Sequence, residues 1–482
     1  MLEEVEVKTI PLLCSCVCLV LCLGVTLASG TANIDGIWDG SIEIMGQKLE
    51  FVANFKTEGE EVKGTMDIPM QGVNGLPLKN VVYDHPNLSF VLETPQASAN
   101  FEGVVEGDKI TGHFEQGGIK GTFTLTRSKV EAKKEPDKPK KPLPYHLEEI
   151  TFHNGELKFT GELLRPKKDG KHPAVVMITG SGPQNRYEEL FGWKIFQDIA
   201  DHFTRNGIAV LLYDDRGMGG SSSNVFESTT ADFAGDVLAA VRYLQSRSDI
   251  NPKQIGLCGH SEGGIIAPLA ASQSDDVAFI ICISGTGHTG REIILIQSEL
   301  IARAEGTPED EIQKSREDSQ KIYDMLDKGE SIENMEAIFE EMASEQFKAM
   351  TEEQKKDVTD PEKFLKSTKE GLMKQFASKW FQYFLKYDPA PTLKKVKCPA
   401  LLLYGELDLQ VPAEMSKKAM VAALEEGGNT DFKAKVFPKA NHLFQKATTG
   451  SPTEYTKLPK EFVTGFLELM TDWMLERVTV VQ

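Results

Sequence analysis

Five strand-length runs, "HPAVVMITG", "GIAVLLYDD", "QIGLCGHS", "VAFIICISG" and "CPALLLYGE", are almost continuously apolar. A strand with one wet face alternates polar and apolar residues, whereas a strand covered on both faces does not. These runs therefore call for a parallel sheet with helices on either side. Helical stretches between them, such as "TADFAGDVLAAVRYLQSR", supply the cover. The expected fold is a doubly wound α/β domain.

With 482 residues the chain is too long for one core, and its texture changes along its length. Residues 33–127 are short alternating runs, such as "KLEFVANFK" and "IKGTFTLTR", broken by Gly, Asn, Asp and Pro. They predict a β-rich domain, closed as a small barrel or packed as a sandwich. It is expected to serve as an accessory or interface module, with a ligand carrier as the alternative. The Pro/Lys-rich segment at 128–145 cannot build a core and suits a semi-rigid linker. The α/β domain then occupies 146–287 and 391–482. Between its halves, residues 288–390 carry helix signals and no strand-like run, which predicts a helical cap at one end of the sheet. Within it Thr307-Pro308 and Ser331 are expected to start helices.

The first 32 residues include "IPLLCSCVCLVLCLGVTLASGTA", an apolar stretch followed by small residues. It reads as a signal peptide or an uncleaved N-terminal anchor, and so as export to a periplasmic or extracellular location. The acidic residues Glu3, Glu4 and Glu6 depart from the usual basic start. A formal charge of -19 argues against a nucleic-acid partner. Membrane contact is expected only if the N-terminal segment is retained, and the sequence does not define an oligomeric state. Four of the seven cysteines lie in the first 22 residues. Cys258, Cys282 and Cys398 sit in or beside apolar runs and read as buried free thiols, not a disulfide framework. No His/Cys cluster with metal-ligand spacing occurs, and no cofactor is expected.

The chemistry centres on "IGLCGHSEGGIIAP", in which a buried strand runs into G-x-S-x-G and an apolar helix. This is the arrangement of a nucleophile elbow, a sharp turn that lifts Ser261 above the strand ends. The backbone N–H of Glu262, at the helix start, is placed to hold a developing oxyanion. The second donor is expected from "GSGPQNR", with the Ser181 N–H favoured and Gly182 as the alternative. Here the backbones of Glu262 and Ser181 matter, not their side chains. A serine needs a base, and only His288 and His442 follow Ser261. His442, in "VFPKANHLF" beyond the last strand, is the expected base. His288 is a loop residue or lines the substrate pocket. The acid should follow "CPALLLYG", where "GELDLQVP" offers Glu406 and Asp408. The glycines of "YDDRGMGGSS" lack the P-loop pattern. That loop is read as a rigid turn with Asp214 or Asp215 pairing Arg216.

In "ITGSGPQNR", "YDDRGMGGSS", "GHSEGG", "DPAPTLKKVKCPALLLYGELDLQVP" and "NHLF", residues from about 145 to 478 resemble the α/β-hydrolase superfamily. Within it they are similar to bacterial carboxylesterases grouped with serine aminopeptidase-like and dienelactone hydrolase-like proteins. The resemblance implies acyl transfer from a small-molecule ester to water through a serine-bound ester. It places the triad at Ser261, Asp408 and His442. A peptidase or thioesterase of the same fold is the alternative, and a non-catalytic lipid-binding protein is the alternative of another class.

Overall fold

A computed structural model describes residues 33–44, 47–59, 61–68, 73–93, 98–128 and 142–481. The apolar leader at 1–32 and residues 129–141 of the expected linker lie outside the described residues.

Eight strands form the first core: β1 (Gly36–Ile44), β2 (Gln47–Glu58), β3 (Glu61–Ile68), β4 (Val73–Asp84), β5 (Asn87–Glu93), β6 (Ser98–Glu106), β7 (Lys109–Gln116) and β8 (Ile119–Arg127). Each pairs antiparallel with the next, and β1 pairs with β8, so the sheet closes as a barrel. Alternation decides what lies inside. In β6, Ala99, Phe101 and Val105 point inward and are buried, while Asn100 and Glu102 face water. An eight-stranded barrel is about wide enough for its own side chains. Here Trp38, Phe51, Phe55, Phe90 and Phe101 fill it, with Phe90 stacked on Phe101 at 4.6 Å between ring centroids. The interior is thus a packed core, which favours the accessory or interface reading over a carrier with an internal ligand.

The second sheet begins with a hairpin that the apolar runs did not announce. β9 (Tyr145–Asn154) and β10 (Leu157–Pro166) pair antiparallel around a tight turn at Gly155, φ +60°. Tyr145, assigned to the linker from the sequence, is already the first residue of β9. The parallel strands follow: β11 (His172–Ile178), then a two-residue ladder of β12 (Glu189–Leu190) with β13 (Trp193–Lys194), then β14 (Ala209–Tyr213), β15 (Ile250–His260), β16 (Ile280–Ile283), β17 (Ala400–Gly405) and β18 (Phe432–Phe437). The sheet order is β18-β17-β16-β15-β11-β14-β10-β9. Its order reverses around β11, so the strand ends there leave a crevice for a site.

Helices α1 (Ile195–Arg205), α2 (Thr230–Gln245) and α3 (Gly263–Ala271) belong to the sheet. The cap follows as α4 (Gly290–Ala304), α5 (Glu309–Asp327), α6 (Glu336–Ala349), α7 (Glu352–Lys356), α8 (Pro361–Ala377) and α9 (Lys379–Lys386). α10 (Ala390–Leu393), α11 (Ala413–Glu426) and α12 (Phe466–Leu475) return to the sheet. α2, α3 and α11 cover one face; α1 and α12 cover the other. The cap has its own core around Ile322, Met335, Phe339 and Phe376. Its helix starts differ in detail from expectation. Pro308 itself occupies the cap position of α5, and Ser331 precedes a short 3-10 turn with no side-chain capping bond.

Candidate active site

At the end of β15 the chain turns sharply into α3, and the turn residue Ser261 has φ +55°. An ordinary residue held there is strained, which is the mark of a side chain fixed in place by its surroundings. Two glycines make the turn possible. A Cβ on Gly259 would lie 2.0 Å from the Gly263 carbonyl oxygen, and one on Gly263 would lie 2.2 Å from that of Ile178. Neither backbone can retreat without dislodging the elbow. Gly259→Ala is therefore expected to destabilise the fold by about 3 kcal/mol, seen as a lower urea midpoint with an unchanged slope.

Ser261 and His442 open onto one cavity of about 520 Å³ beneath the cap. Ser181 and Glu262 line it too. His442 Nδ1 faces Asp408 Oδ2 at 2.8 Å, with both residues buried. The carboxylate is held from every side. Ser284 Oγ donates to Oδ2 at 2.7 Å, and the Gln410 and Val411 N–H groups donate to Oδ1 at 2.9 and 2.8 Å. Such an acid can fix one tautomer of the imidazole and stabilise its cation. Glu406, the other acid of that loop, is exposed and accepts the Lys439 N–H instead.

Several roles differ from expectation. Arg216 pairs with Asp236 at 2.7 Å, not with Asp214 or Asp215. Those two acids turn back onto the "GSGPQNR" loop. Asp214 takes the Arg186 guanidinium at 2.7 Å, and Asp215 takes the Gln184 N–H and the Thr179 hydroxyl at 2.9 and 2.8 Å. They brace the loop that carries Ser181. His288 is not among the residues lining the cavity. Its ring stands 3.7 Å from Glu292, whose carboxylate also caps α4 through Thr289.

The carboxylate of Glu262 also has a part that the sequence reading denied it. It is buried beside Ser261 and accepts from Thr230 Oγ1 at 2.8 Å and from Trp380 Nε1 of the cap at 3.1 and 3.0 Å. Burial raises its pKa, against the pull of these hydrogen bonds. The residue after Ser261 thus fastens the cap to the sheet.

A second buried pair lies beneath the first. His260 Nδ1 faces Glu188 Oε1 at 2.9 Å, and its Nε2 faces the His442 carbonyl oxygen at 3.0 Å. Glu188 Oε1 also accepts the Gly180 N–H at 2.8 Å. Both ring nitrogens meet acceptors, so this geometry suits an imidazolium paired with a carboxylate. Burial alone would lower the His260 pKa, but the charge and hydrogen bond of Glu188 outweigh it and raise it. The signs follow from that direction. A raised folded-state pKa gives stability fully present below the unfolded value near 6.5, and that stability fades as pH climbs through the folded value. Glu188→Gln should remove this component. The gap in unfolding free energy between wild type and variant should be wide at pH 5.5 and narrower at pH 9; an unchanging gap would count against the ion pair.

The three described cysteines are free. Burial pushes the thiol of Cys258 well up, and that of Cys398 up to about 12. Among the described residues no cluster of His, Cys, Asp and Glu could hold a metal ion.

Comparison with known proteins agrees with this architecture. The family model described as serine aminopeptidase, S33, matches residues 192–446, a little over half of the chain. Esterase EstD of Thermotoga maritima is 25% identical over 372 residues, covering 74% of this chain and 78% of the relative. The bifunctional esterase/perhydrolase DCH of Acinetobacter calcoaceticus is 25% identical over 245 residues, covering 49% of this chain and 79% of its own. Among solved structures, an esterase of Pyrococcus furiosus aligns over 73% of this chain and 96% of its own, at 14% identity and a TM-score of 0.42. With its matched region running from Gly192, just ahead of α1, to Lys446, just past His442, the chain belongs to the serine aminopeptidase S33 family of the α/β-hydrolase superfamily.

Proposed function

We propose that this hydrolase is a serine carboxylesterase acting on small to medium acyl esters. The buried Asp408–His442 pair, opening with Ser261 onto one cavity, is the observation that supports this reading most. In the proposed reaction Ser261 Oγ attacks the ester carbonyl while His442 Nε2 takes its proton. His442 then returns that proton to the departing alcohol. Water repeats the sequence on the acyl-enzyme, and Asp408 stabilises the imidazolium in both halves. The N–H groups of Glu262 and Ser181 hold the oxyanion, each worth roughly 3 kcal/mol of barrier.

The test is hydrolysis of p-nitrophenyl acyl esters, together with labelling by a fluorophosphonate. One equivalent of probe on Ser261 is expected. Label on another residue, or turnover that persists after complete labelling, would overturn the proposal. One observation favours a second reading. The family model that matches the chain is described as serine aminopeptidase, S33. Faster turnover of aminoacyl p-nitroanilides than of esters would favour that peptidase reading. We also propose that the first 32 residues direct export or anchor the protein, which N-terminal sequencing of the mature chain checks.

A further inference from the structure

The β7–β8 hairpin of the barrel is built into the cap. Its turn glycines, Gly117 and Gly118, have φ of +57° and +85°. A Cβ on Gly118 would lie 2.5 Å from the Asp360 carbonyl oxygen, so only glycine allows this approach. Backbone bonds then stitch the two parts together. Lys120 N–H donates to the Asp357 carbonyl at 2.8 Å, and Thr359 N–H donates to the Gly118 carbonyl at 3.0 Å. Ser367 Oγ donates to the Gly117 carbonyl at 3.0 Å, and Lys363 pairs with Glu115. A contact of this kind fixes the hairpin's position relative to α8.

Between the hairpin, α8 and the loop at Phe226 lies a second cavity, of about 810 Å³. Ile119 from the barrel, Phe226 from the α/β domain and Phe364 and Leu372 from the cap give it apolar walls. Trp380 and Gln375 line this cavity and the one holding Ser261 as well. The two spaces therefore share a partition, one side of which is fastened to Glu262 next to Ser261. At about 520 Å³ the first cavity is already of a size that holds a small ester. The second is surplus for such a substrate, and three separate parts of the chain contribute to it.

We propose that this second cavity is a distal subsite for the linear hydrocarbon arm of an ester, and that the barrel's role is to supply one of its walls. The proposal rests on the carboxylesterase reading above. The arm passes the Trp380–Gln375 partition while the ester group remains at Ser261. It belongs either to the acyl half or to the alcohol half of the substrate. Each methylene taken out of water is worth about fourfold in binding. The gain in kcat/KM should therefore continue beyond the length that the first cavity can hold.

Gly371 offers a clean way to close the subsite. It lies within α8, lines the second cavity, and a Cβ there would meet no atom within 4 Å. Gly371→Trp should fold normally and fill the space, and Gly371→Ala serves as its control. Ile119→Trp fills the same space from the barrel side. Two ester series are compared in the full-length protein: p-nitrophenyl esters from butanoate to dodecanoate, and butanoate esters of alcohols from ethanol to dodecanol. Both tryptophan variants are expected to lose at least tenfold in kcat/KM on the long members of one series. They should stay within about twofold of wild type on p-nitrophenyl butanoate. Unchanged profiles in both series, or equal losses on short and long esters, would overturn the subsite. Absence of turnover on every ester by the wild type would instead refute the esterase reading, so the two failures are distinguishable.

Discussion

Ser261→Ala is expected to lower kcat on p-nitrophenyl butanoate by about 10⁶-fold while KM changes little. In the proposed reaction the side chain removed is the one that forms the bond to the acyl group, so the covalent path disappears altogether. The proposed oxyanion site would survive, still polarising a bound ester towards water and leaving roughly 10³-fold over the uncatalysed rate. The fold should not suffer, because the strained φ of +55° at this position suits alanine no worse than serine. The variant's urea midpoint and its loss of fluorophosphonate labelling are measured alongside. Residual activity within a hundredfold of wild type would mean that another nucleophile does the work.

Asp408→Asn should cost about 10⁴-fold in kcat. The substitution preserves shape, and its amide oxygen can still accept the N–H groups of Gln410 and Val411. Its NH₂ group, however, then faces His442 Nδ1 where a carboxylate stood 2.8 Å away. The ring answers by carrying its proton on Nε2, the atom that accepts one from Ser261 in the proposed reaction. The charge that would stabilise the imidazolium is lost as well. A matched loss in kcat and kcat/KM is the expected signature, since the interaction strengthens only in the transition state. A rise in KM alone would assign Asp408 to substrate binding.

The parts of the fold that were legible in the sequence were those governed by one local rule. Parallel strands at Ala174–Ile178, Ala209–Tyr213 and Ala400–Gly405 are buried on both faces, so composition alone reveals them. The hairpin at 145–166 is not legible in the same way, because "HLEEITFHNGELKFTGEL" alternates and only Asn154-Gly155 marks its turn. Ser261 was readable from the glycines that the turn demands. Other partners were hidden by sequence distance. Glu188 meets His260 across 72 positions, and Trp380 meets Glu262 across 118. Nothing in either neighbourhood signals such a meeting. The "YDDRG" acids show a further limit, since the nearest cation in the sequence, Arg216, was not the one they bind. Proximity along the chain misled there because the strand end turns both carboxylates towards a different loop.

The Trp380–Glu262 contact would weigh against any opening of the cap. Should the cap swing away, the Glu262 carboxylate keeps Thr230 but loses its indole partner while still packed against the sheet. Leaving a buried acceptor without its partner costs about 1–3 kcal/mol. If water does not replace the indole, the closed form is favoured by roughly ten- to a hundredfold from this contact alone. The cap's resting state is then the one in which the residue after Ser261 is held still. Any opening of the cap would have to break this contact, so a bulky substrate that needs such an opening would wait on Trp380.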